Sequence, residues 1–324
     1  MRNLFTKSGR IALFAVFALM LTATAFSQLK LRKAMDFDGD GKADYTVFRP
    51  SNNVWYINKS NGSGFIFQQF GLSNSDFMAP GDFDGDGKGD ISVWRDTDGV
   101  WYRFNSSNSV FVATAFGLSG DEPVARDYDN DGKTDLAVVR RTNGAMIWYV
   151  LGSSAGFSAT QWGLSTDFTA PGDYDGDGKF DLAVQRPGAT ASSQSTFYIL
   201  QSSNGNLMAV NWGLSNDLVV PGDYDGDGKT DIAVVREGAT PTSNLVWYIR
   251  KSSDGSLIAI TFGITGSDLN AQNDYDGDGK CDLAVWRDSN GTFYVLTSTS
   301  NFTSAVQSQW GASNDFPVAS YDTH

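Results

Sequence analysis

The chain has 324 residues, of which 41% are hydrophobic, 13% aromatic and 19% charged, and this composition excludes a disordered chain or a coiled coil. A net charge of −13 disfavours nucleic acid or an anionic membrane as the main partner. The only histidine is the last residue, His324, and the only cysteine is Cys281, so histidine catalysis, zinc sites and internal disulfides have little support.

The amino-terminal segment has the organisation of a secretory signal peptide. Three basic residues precede an apolar run of eleven residues at 11–21, and small residues follow it. This run is shorter than the roughly 20 residues that span a bilayer, so a membrane anchor is the less favoured interpretation. We expect cleavage after Ala25 or Ser27, taking 1–27 as the signal peptide, and a secreted or cell-surface protein without a membrane span, with the periplasm as the alternative location.

An aspartate-rich loop of nine residues recurs six times, first at residues 36–44, at spacings of 46, 45, 46, 50 and 51 residues. Aspartate occupies loop positions 1, 3, 5 and 9, and lysine occupies position 7. Glycine occupies positions 4 and 6, with Asn130 as the one substitution, which fits the positive φ angles of a tight turn. Position 2 is always Phe or Tyr, which we expect to pack beneath the loop.

Four short apolar runs accompany each loop. Strand A leads into the loop, strand B follows it and ends in arginine, strand C carries an aromatic pair, and strand D ends in Phe-Gly or Trp-Gly. The runs are rich in β-branched and aromatic residues and are bounded by turn residues. Four-stranded units at this period predict an all-β protein, a β-propeller of six antiparallel blades in one domain at 28–324, with seven blades or a solenoid as alternatives.

These features resemble the FG-GAP or VCBS-type repeats of integrin α-subunit propellers and of secreted bacterial proteins. Besides the six loops, the resemblance rests on the pairs Phe70-Gly71, Phe116-Gly117, Trp162-Gly163, Trp212-Gly213, Phe262-Gly263 and Trp310-Gly311, and on the turns Ala79-Pro80-Gly81 and Ala170-Pro171-Gly172. It implies an extracellular, calcium-binding interaction or adhesion module whose binding surface lies opposite the metals.

The loops are candidate calcium sites, because alternate carboxylates on a tightly turning backbone can converge on a hard cation. An EF-hand is excluded, since position 12 holds valine in loops such as the first, at Val47, and the flanking elements are strands. Lysine would contribute its backbone carbonyl and direct its side chain to solvent. The predicted ligands are Asp36, Asp38, Asp40, Lys42, Asp44, Asp82, Asp84, Asp86, Lys88, Asp90, Asp127, Asp129, Asp131, Lys133, Asp135, Asp173, Asp175, Asp177, Lys179, Asp181, Asp223, Asp225, Asp227, Lys229, Asp231, Asp274, Asp276, Asp278, Lys280 and Asp282.

Charge supports a bound cation in each blade. The six loops carry a charge of −18, whereas the chain without its signal peptide carries −16. Solvated acidic turns are the alternative, but four uncompensated carboxylates in one loop would repel one another. We therefore expect about six Ca²⁺ ions, one per blade, which stabilise the hairpins of strands A and B.

A second set of charges recurs outside the loops, with an aspartate at the start of strand A and an arginine at the end of strand B. The aspartates are Asp76, Asp121, Asp167, Asp217, Asp268 and Asp315, and the arginines are Arg49, Arg95, Arg140, Arg186, Arg236 and Arg287. We expect structural salt bridges rather than ligand pockets. Since Arg49 lacks a local acid, the terminal strand 315–319 is predicted to join the first blade, although residues 29–34 compete for that place.

Several residues depart from the repeat. Trp94 and Trp286 could present indole faces to a sugar, unlike the strand C aromatics, which we expect in the core between blades.

The connections between strands B and C lengthen at 188–194 and 238–244, where a binding role and neutral insertion are both open interpretations. Cys281, at loop position 8, is interpreted as a semi-exposed free thiol, with an intermolecular disulfide as the alternative.

The leading function is a non-enzymatic interaction or adhesion module, expected to be a monomer, with an extracellular protein or glycan as its partner. A propeller lectin is the alternative. A polysaccharide-active enzyme is less favoured, because Glu122 and Glu237 are the only glutamates and no dedicated carboxylate pair stands out. Asp96 and Asp98 lie outside the repeats but are typical solvated turn acids.

Overall fold

The computed structural model describes residues 34–319, which form six four-stranded antiparallel sheets arranged as the blades of a β-propeller. This confirms the predicted six blades rather than seven. Blade 1 contains β1 (Tyr45–Arg49), β2 (Val54–Asn58), β3 (Phe65–Gln69) and β24 (Phe316–Pro317). Blade 2 contains β4 (Asp76–Met78), β5 (Ile91–Arg95), β6 (Val100–Phe104) and β7 (Phe111–Ala115). Blade 3 contains β8 (Glu122–Pro123), β9 (Leu136–Thr142), β10 (Ala145–Gly152) and β11 (Gly156–Leu164).

The remaining blades repeat this order of strands A to D. Blade 4 contains β12 (Phe168–Thr169), β13 (Leu182–Arg186), β14 (Gln194–Leu200) and β15 (Leu207–Leu214). Blade 5 contains β16 (Leu218–Val219), β17 (Ile232–Arg236), β18 (Asn244–Arg250) and β19 (Leu257–Ile264). Blade 6 contains β20 (Asp268–Asn270), β21 (Leu283–Arg287), β22 (Thr292–Leu296) and β23 (Ala305–Gln309). Short 3₁₀ turns occupy Asp288–Asn290 and Ser298–Ser300.

Within residues 34–319, no helix has both the length and the apolar character needed to cross a membrane. The predicted signal peptide at 1–27, and most of the segment 29–34 that competes for the first blade, lie outside the described residues. Both therefore remain predictions from the sequence.

The core lies between the blades and is built mainly from strands B and C. Strand B is buried on both faces, as in β17, where Ile232, Ala233, Val234 and Val235 are all at most 3% exposed. Strand C alternates, so that every second residue enters the core. The first aromatic of each strand C pair is at most 1% exposed, which confirms the predicted blade-to-blade packing; these residues are Trp55, Trp101, Trp148, Phe197, Trp247 and Phe293.

The ring closes through the carboxy-terminal strand, as predicted. Strand β24 pairs antiparallel with β1, placing Phe316 opposite Phe48. Beyond β24, Val318 donates its backbone N–H to the carbonyl of Thr46 at 2.9 Å. Blade 1 therefore takes three strands from the start of the described chain and one from its end.

All six predicted Asp–Arg pairs are present as salt bridges of 2.7–2.8 Å. In blade 2, Arg95 donates to Asp76 from both Nε and Nη2, and its guanidinium lies 4.5 Å from the ring centroid of Tyr102. Asp76 also accepts the N–H of Leu72, which follows the Phe-Gly pair. Each aspartate is thus used to join strands and to hold the turn, which supports a structural role.

The structure corrects two expectations about exposed residues. Trp94 and Trp286 are 0% exposed, and their indole N–H groups donate to the carbonyls of Phe116 and Trp310 at 3.1 Å, so neither presents its face to a sugar. Cys281 is 3% exposed and belongs to the core between blades 5 and 6, so it is not a semi-exposed thiol. At loop position 8, the Cys281 side chain faces the neighbouring blade instead of solvent.

Candidate metal centres in the aspartate loops

Each loop is wrapped around its own first and last carboxylates, as blade 5 illustrates. Asp223 accepts the N–H groups of Gly226 at 2.6 Å and Gly228 at 2.9 Å, and Asp231 accepts that of Tyr224 at 2.8 Å. The two glycines have φ angles of 80° and 85°, which residues with a Cβ rarely adopt. Asn130, the one exception at position 4, has φ 65°, as the sequence predicted.

The connection between strands C and D closes over the loop from the same face of the propeller. Ser252 donates its N–H to Asp231 at 2.6 Å and its hydroxyl to Asp227 at 2.8 Å, and the hydroxyl of Ser253 reaches Asp225 at 2.5 Å. Blade 4 repeats these contacts through the consecutive serines 202 and 203. The aspartate loops and the C–D connections therefore form one surface, here termed the loop face, and the B–C and D–A connections form the opposite face.

The carboxylates converge as a cation site requires. In five loops, three aspartates each bring one oxygen within 4.8 Å of the other two. They occupy positions 1, 3 and 9 in blades 2 to 5 and positions 1, 3 and 5 in blade 1. Only hard oxygen donors meet there, a set that suits Ca²⁺ and offers no sulfur or imidazole to softer metals. The residues present fit the predicted ion.

Position 5 and position 7 have additional local roles. In blade 1, the N–H of Lys42 donates to Asp40 at 2.9 Å, and the hydroxyl of Ser60 donates to the same oxygen at 2.9 Å. The lysine side chains are half-buried rather than fully directed to solvent. The Lys88 stem crosses Gly39 of the preceding loop, where an added Cβ would lie 2.9 Å from its Cε atom. The contribution of the lysine carbonyls to a cation remains a prediction.

Burial makes the deepest carboxylates difficult to ionise without a cation. Desolvation, reinforced by neighbouring Asp225, raises the pKa of Asp231 to about 7 despite hydrogen bonds from Ser252 and Tyr224 that favour the charged form. Burial and the charge of Asp231 likewise raise the pKa of Asp223 to about 7. Burial is the first cause in the other loops as well, where the pKa reaches about 7 at Asp44, Asp135, Asp173 and Asp282 and about 6 at Asp90 and Asp181.

A ring of backbone hydrogen bonds links the six loops, and sequence reasoning did not find it. The N–H at position 8 of each loop donates to the carbonyl at position 1 of the preceding loop, at 2.7–3.1 Å. The donors are Ala43, Gly89, Thr134, Phe180, Thr230 and Cys281, and the respective acceptors are Asp274, Asp36, Asp82, Asp127, Asp173 and Asp223. Position 8 varies in side chain because its constant function belongs to the backbone.

The side chain at position 8 also packs against the preceding blade. An added Cβ at Gly222 would lie 3.0 Å from Sγ of Cys281, and one at Gly172 would lie 2.7 Å from Cγ2 of Thr230. In three blades a glycine immediately precedes the first aspartate of the loop. This glycine is the feature of the sequence from which the close approach of the two blades could have been predicted. It identifies Cys281 as a packing residue between blades 5 and 6.

Comparison with known proteins identifies a repeat family in part of the sequence. The FG-GAP-like repeat family matches residues 36–93 and 127–184, which contain the first four aspartate loops and strands B to D of blades 1 and 3 and extend into the blades that follow them. None of the curated proteins matches the sequence. Among solved structures, Kluyveromyces lactis Hsv2 with a complete loop 6CD is similar over 79% of this chain and 74% of its own, with 11% identity and a TM-score of 0.39, too low to bear on function. The chain is a six-bladed β-propeller, and two of its segments match the FG-GAP-like repeat family.

Proposed function

We propose that this protein is a secreted, calcium-binding interaction module that presents the face opposite its metal loops to an extracellular protein. The observation that carries the calcium assignment is the convergence of three aspartate oxygens within 4.8 Å in five of the loops. The FG-GAP-like repeats support a role in protein interaction. Secretion is supported by the basic and apolar segment at residues 2–21.

Aspartates at positions 1, 3, 5 and 9 would hold the ion in each blade, with the carbonyl at position 7. The ion would supply positive charge where burial otherwise opposes ionisation, as at Asp223 and Asp231. The protein's own residues supply the order of the loop, through the glycine N–H groups and the serines of the C–D connection. We therefore propose a structural role for calcium.

The opposite face offers a surface suited to a protein partner. Apolar side chains at the start of strand A are 38–55% exposed in five blades. These residues are Phe77, Phe168, Leu218, Leu269 and Phe316. Phe168, Leu218 and Leu269 also line a cavity that residues of all six blades surround, and exposed apolar patches are typical of interaction sites. The long B–C connections at 187–193 and 237–243 lie on the same face. Each is bonded to a D–A turn, through the N–H of Gly188 to the hydroxyl of Ser215 and the N–H of Gly238 to the hydroxyl of Thr265.

We propose no catalytic activity, because the candidate carboxylates have structural partners. Glu122 forms an ion pair with Arg141 and accepts the hydroxyl of Thr169. Asp96 accepts the N–H of Gly120 at 2.6 Å, and Asp98 accepts the hydroxyl of Tyr102 at 2.8 Å. These contacts hold turns and neighbouring blades together.

Calcium binding is tested by calorimetric titration and thermal melting of residues 28–324 in calcium, in magnesium and in chelator. We expect binding of about six calcium ions and a melting temperature that falls in chelator. An unchanged melt together with an absence of calcium heat would contradict the calcium assignment.

The binding face is tested with the immobilised, calcium-loaded protein and detergent-solubilised cell-surface proteins. Phe168→Ser and Phe316→Ser should weaken capture of a discrete partner, whereas Phe157→Ser, which changes a still more exposed aromatic on the outer strand β11, should not. A glycan array is probed in parallel. Binding of a defined glycan without a captured protein would favour the lectin alternative.

A further inference from the structure

Blade 2 departs from the other five blades at one core position beneath its aspartate loop. The residue that follows the aromatic pair of strand C is apolar and at most 7% exposed in the other blades, where it is Ile57, Val150, Ile199, Ile249 and Val295. In blade 2 this residue is Arg103, which is half-buried. An arginine therefore replaces an apolar core residue in one of six otherwise similar units.

The Arg103 side chain reaches the aspartate loop of its own blade. Its guanidinium carbon lies 5.3 Å from the ring centroid of Phe83, which occupies loop position 2 and is 7% exposed. A cation over the face of an aromatic ring is attracted to it. Burial lowers the pKa of the guanidinium, and the charges of Asp90 and Asp84 oppose this change. Since arginine stays protonated in proteins, blade 2 holds a permanent positive charge within electrostatic range of two loop carboxylates.

No ion pair among residues 34–319 includes the Arg103 guanidinium. Its Nε atom is buried and donates no hydrogen bond within the same residues. The hydroxyl of Ser92, which lies opposite Arg103 in the ladder of β5 and β6, is also buried without a partner there. By contrast, Arg95 of the same blade is held at 2.7 Å by Asp76. The charge of Arg103 is therefore not neutralised by a bonded carboxylate, and it acts on the loop.

The loop lysines do not account for this difference between blades. In five of the loops, blade 2 among them, the lysine of the next loop around the ring crosses the glycine at position 4. An added Cβ at that glycine would lie 2.6–3.0 Å from the lysine side chain, at Gly39, Gly85, Gly176, Gly226 and Gly277. These loops thus share a lysine at the same place, whereas the arginine is present in blade 2 alone.

The blade 2 loop retains the donors for a calcium ion, because Asp82, Asp84 and Asp90 converge there as the equivalent aspartates do in blades 3 to 5. A guanidinium near these carboxylates has two effects. It attracts the carboxylates of the metal-free loop and so relieves their mutual repulsion, and it repels a doubly charged ion in the same loop. Both effects reduce the free energy that calcium binding gains in blade 2.

We propose that Arg103 makes the blade 2 loop the weakest of the six calcium sites and the first to lose its ion as the calcium concentration falls. This inference rests on the proposed function in taking the aspartate loops as calcium sites, and it adds that the six sites are not equivalent. Blade 2 balances part of its loop charge with a residue of its own chain, whereas the other five loops have an apolar residue at the same place.

Calorimetric titration of metal-free residues 28–324 with calcium should resolve five tighter ions and one that binds at least about tenfold more weakly. Arg103→Ile installs the residue of blades 1, 4 and 5 and should bring the sixth ion into the tighter class. Arg103→Met should do the same, whereas Arg103→Lys, which keeps the charge, should retain the weaker site. As the control, Arg250→Leu removes an arginine from the next position of strand C in blade 5 and installs the residue of blades 3, 4 and 6, so the pattern of five and one should persist.

Removal of one ligand identifies the blade that holds the weaker ion. Asp84→Ala should abolish the weaker binding phase and leave the five tighter ions. Asp225→Ala, at the same loop position in blade 5, should remove one tighter ion and keep the weaker one. In the Arg103→Ile background, Asp84→Ala should instead remove one of six tighter ions.

Three results would overturn the inference and leave the calcium assignment in place: six ions that bind with one affinity, a weaker ion that persists in Arg103→Ile and Arg103→Met, or loss of a tighter ion in Asp84→Ala. Should neither uncharged variant fold, the comparison of Asp84→Ala with Asp225→Ala still decides which blade holds the weaker ion. An absence of calcium binding to every loop would overturn the calcium assignment of the proposed function, and this inference with it.

Discussion

Arg49 and Asp315 are 266 positions apart, yet they form a two-pronged ion pair, with 2.7 Å between Nε and Oδ1 and 2.8 Å between Nη2 and Oδ2. The Asp315 side chain is 1% exposed and that of Arg49 is 28% exposed. The pair fastens the carboxy-terminal strand to the first blade. It has the geometry of the five pairs that lie within continuous stretches of chain.

Asp315→Ala should destabilise the protein by about 2 kcal/mol, because it removes the buried partner of a half-buried arginine. Asp76→Ala removes the same bonds inside blade 2 and should lower the melting temperature by a similar amount. Only Asp315→Ala should also speed proteolysis of the strand at 315–319 and of blade 1. Equal protease resistance in the two variants would mean that the Arg49–Asp315 salt bridge does not control closure of the ring of blades.

Removal of one loop ligand should change the number of bound ions rather than the fold. Asp225→Ala takes away the position 3 carboxylate of blade 5, so calorimetry should find one calcium ion fewer than in the wild type. Asp254→Ala removes an exposed carboxylate from a turn of the same blade and should leave the stoichiometry unchanged. The same stoichiometry in both variants would place the ion elsewhere.

The metal-free protein should lose stability as pH rises from about 4 to 8, because its folded state binds more protons than its unfolded state in this window. The folded pKa is about 7 for Asp44, Asp135 and Asp231, above the value of roughly 3.9 for an unfolded aspartate. Thermal melts in chelator should therefore give a higher melting temperature at pH 5 than at pH 8. A higher value at pH 8 would contradict the assigned burial of these carboxylates.

Cys281 should resist thiol reagents in the folded protein, because burial raises the pKa of its thiol well above the ordinary value and excludes the reagent. Rapid labelling with a chromogenic disulfide should appear only in denaturant. A double variant, Cys281→Ala with Asn204→Cys, places a single thiol in an exposed turn and should react at once. Equally fast labelling of the native protein would show that the contact between blades 5 and 6 opens at this position.

Gln185→Met should stabilise the protein by about 1–2 kcal/mol, because both amide atoms of this fully buried side chain lack hydrogen-bond partners within the described residues. Blades 3 and 5 carry valine at the same position, Val139 and Val235, both fully buried. Chemical denaturation measures the change, and Gln307→Met on the exposed outer strand serves as the control. A loss of stability would indicate an internal water that satisfies the amide.

The sequence allowed the blade count, the loops and the Asp–Arg pairs to be predicted because each is repeated at fixed spacing. The closure by Asp315 followed from the same regularity, since one arginine and one aspartate were left without local partners. Features that depend on side-chain type at a repeated position are accessible to such reasoning. Six copies made the pattern visible despite variation in individual blades.

Features formed between blades could not be read in this way. The hydrogen bonds from position 8 use backbone N–H groups, so Ala43, Phe180 and Cys281 perform the same function with unrelated side chains. The sequence left the indole of Trp94 available to a sugar, whereas strand B is buried on both faces and encloses it.

The circle of loop-to-loop hydrogen bonds has neither a beginning nor an end, since Ala43 of the first loop donates to Asp274 of the last at 2.8 Å. The blade in which the two ends of the propeller's chain meet is thus one of six equivalent blades in this ring of hydrogen bonds. A circular permutant that joins residue 319 to residue 34 and opens the turn between β7 and β8 would keep every one of these bonds. The loop-to-loop hydrogen bonds therefore do not depend on which blade the polypeptide enters first.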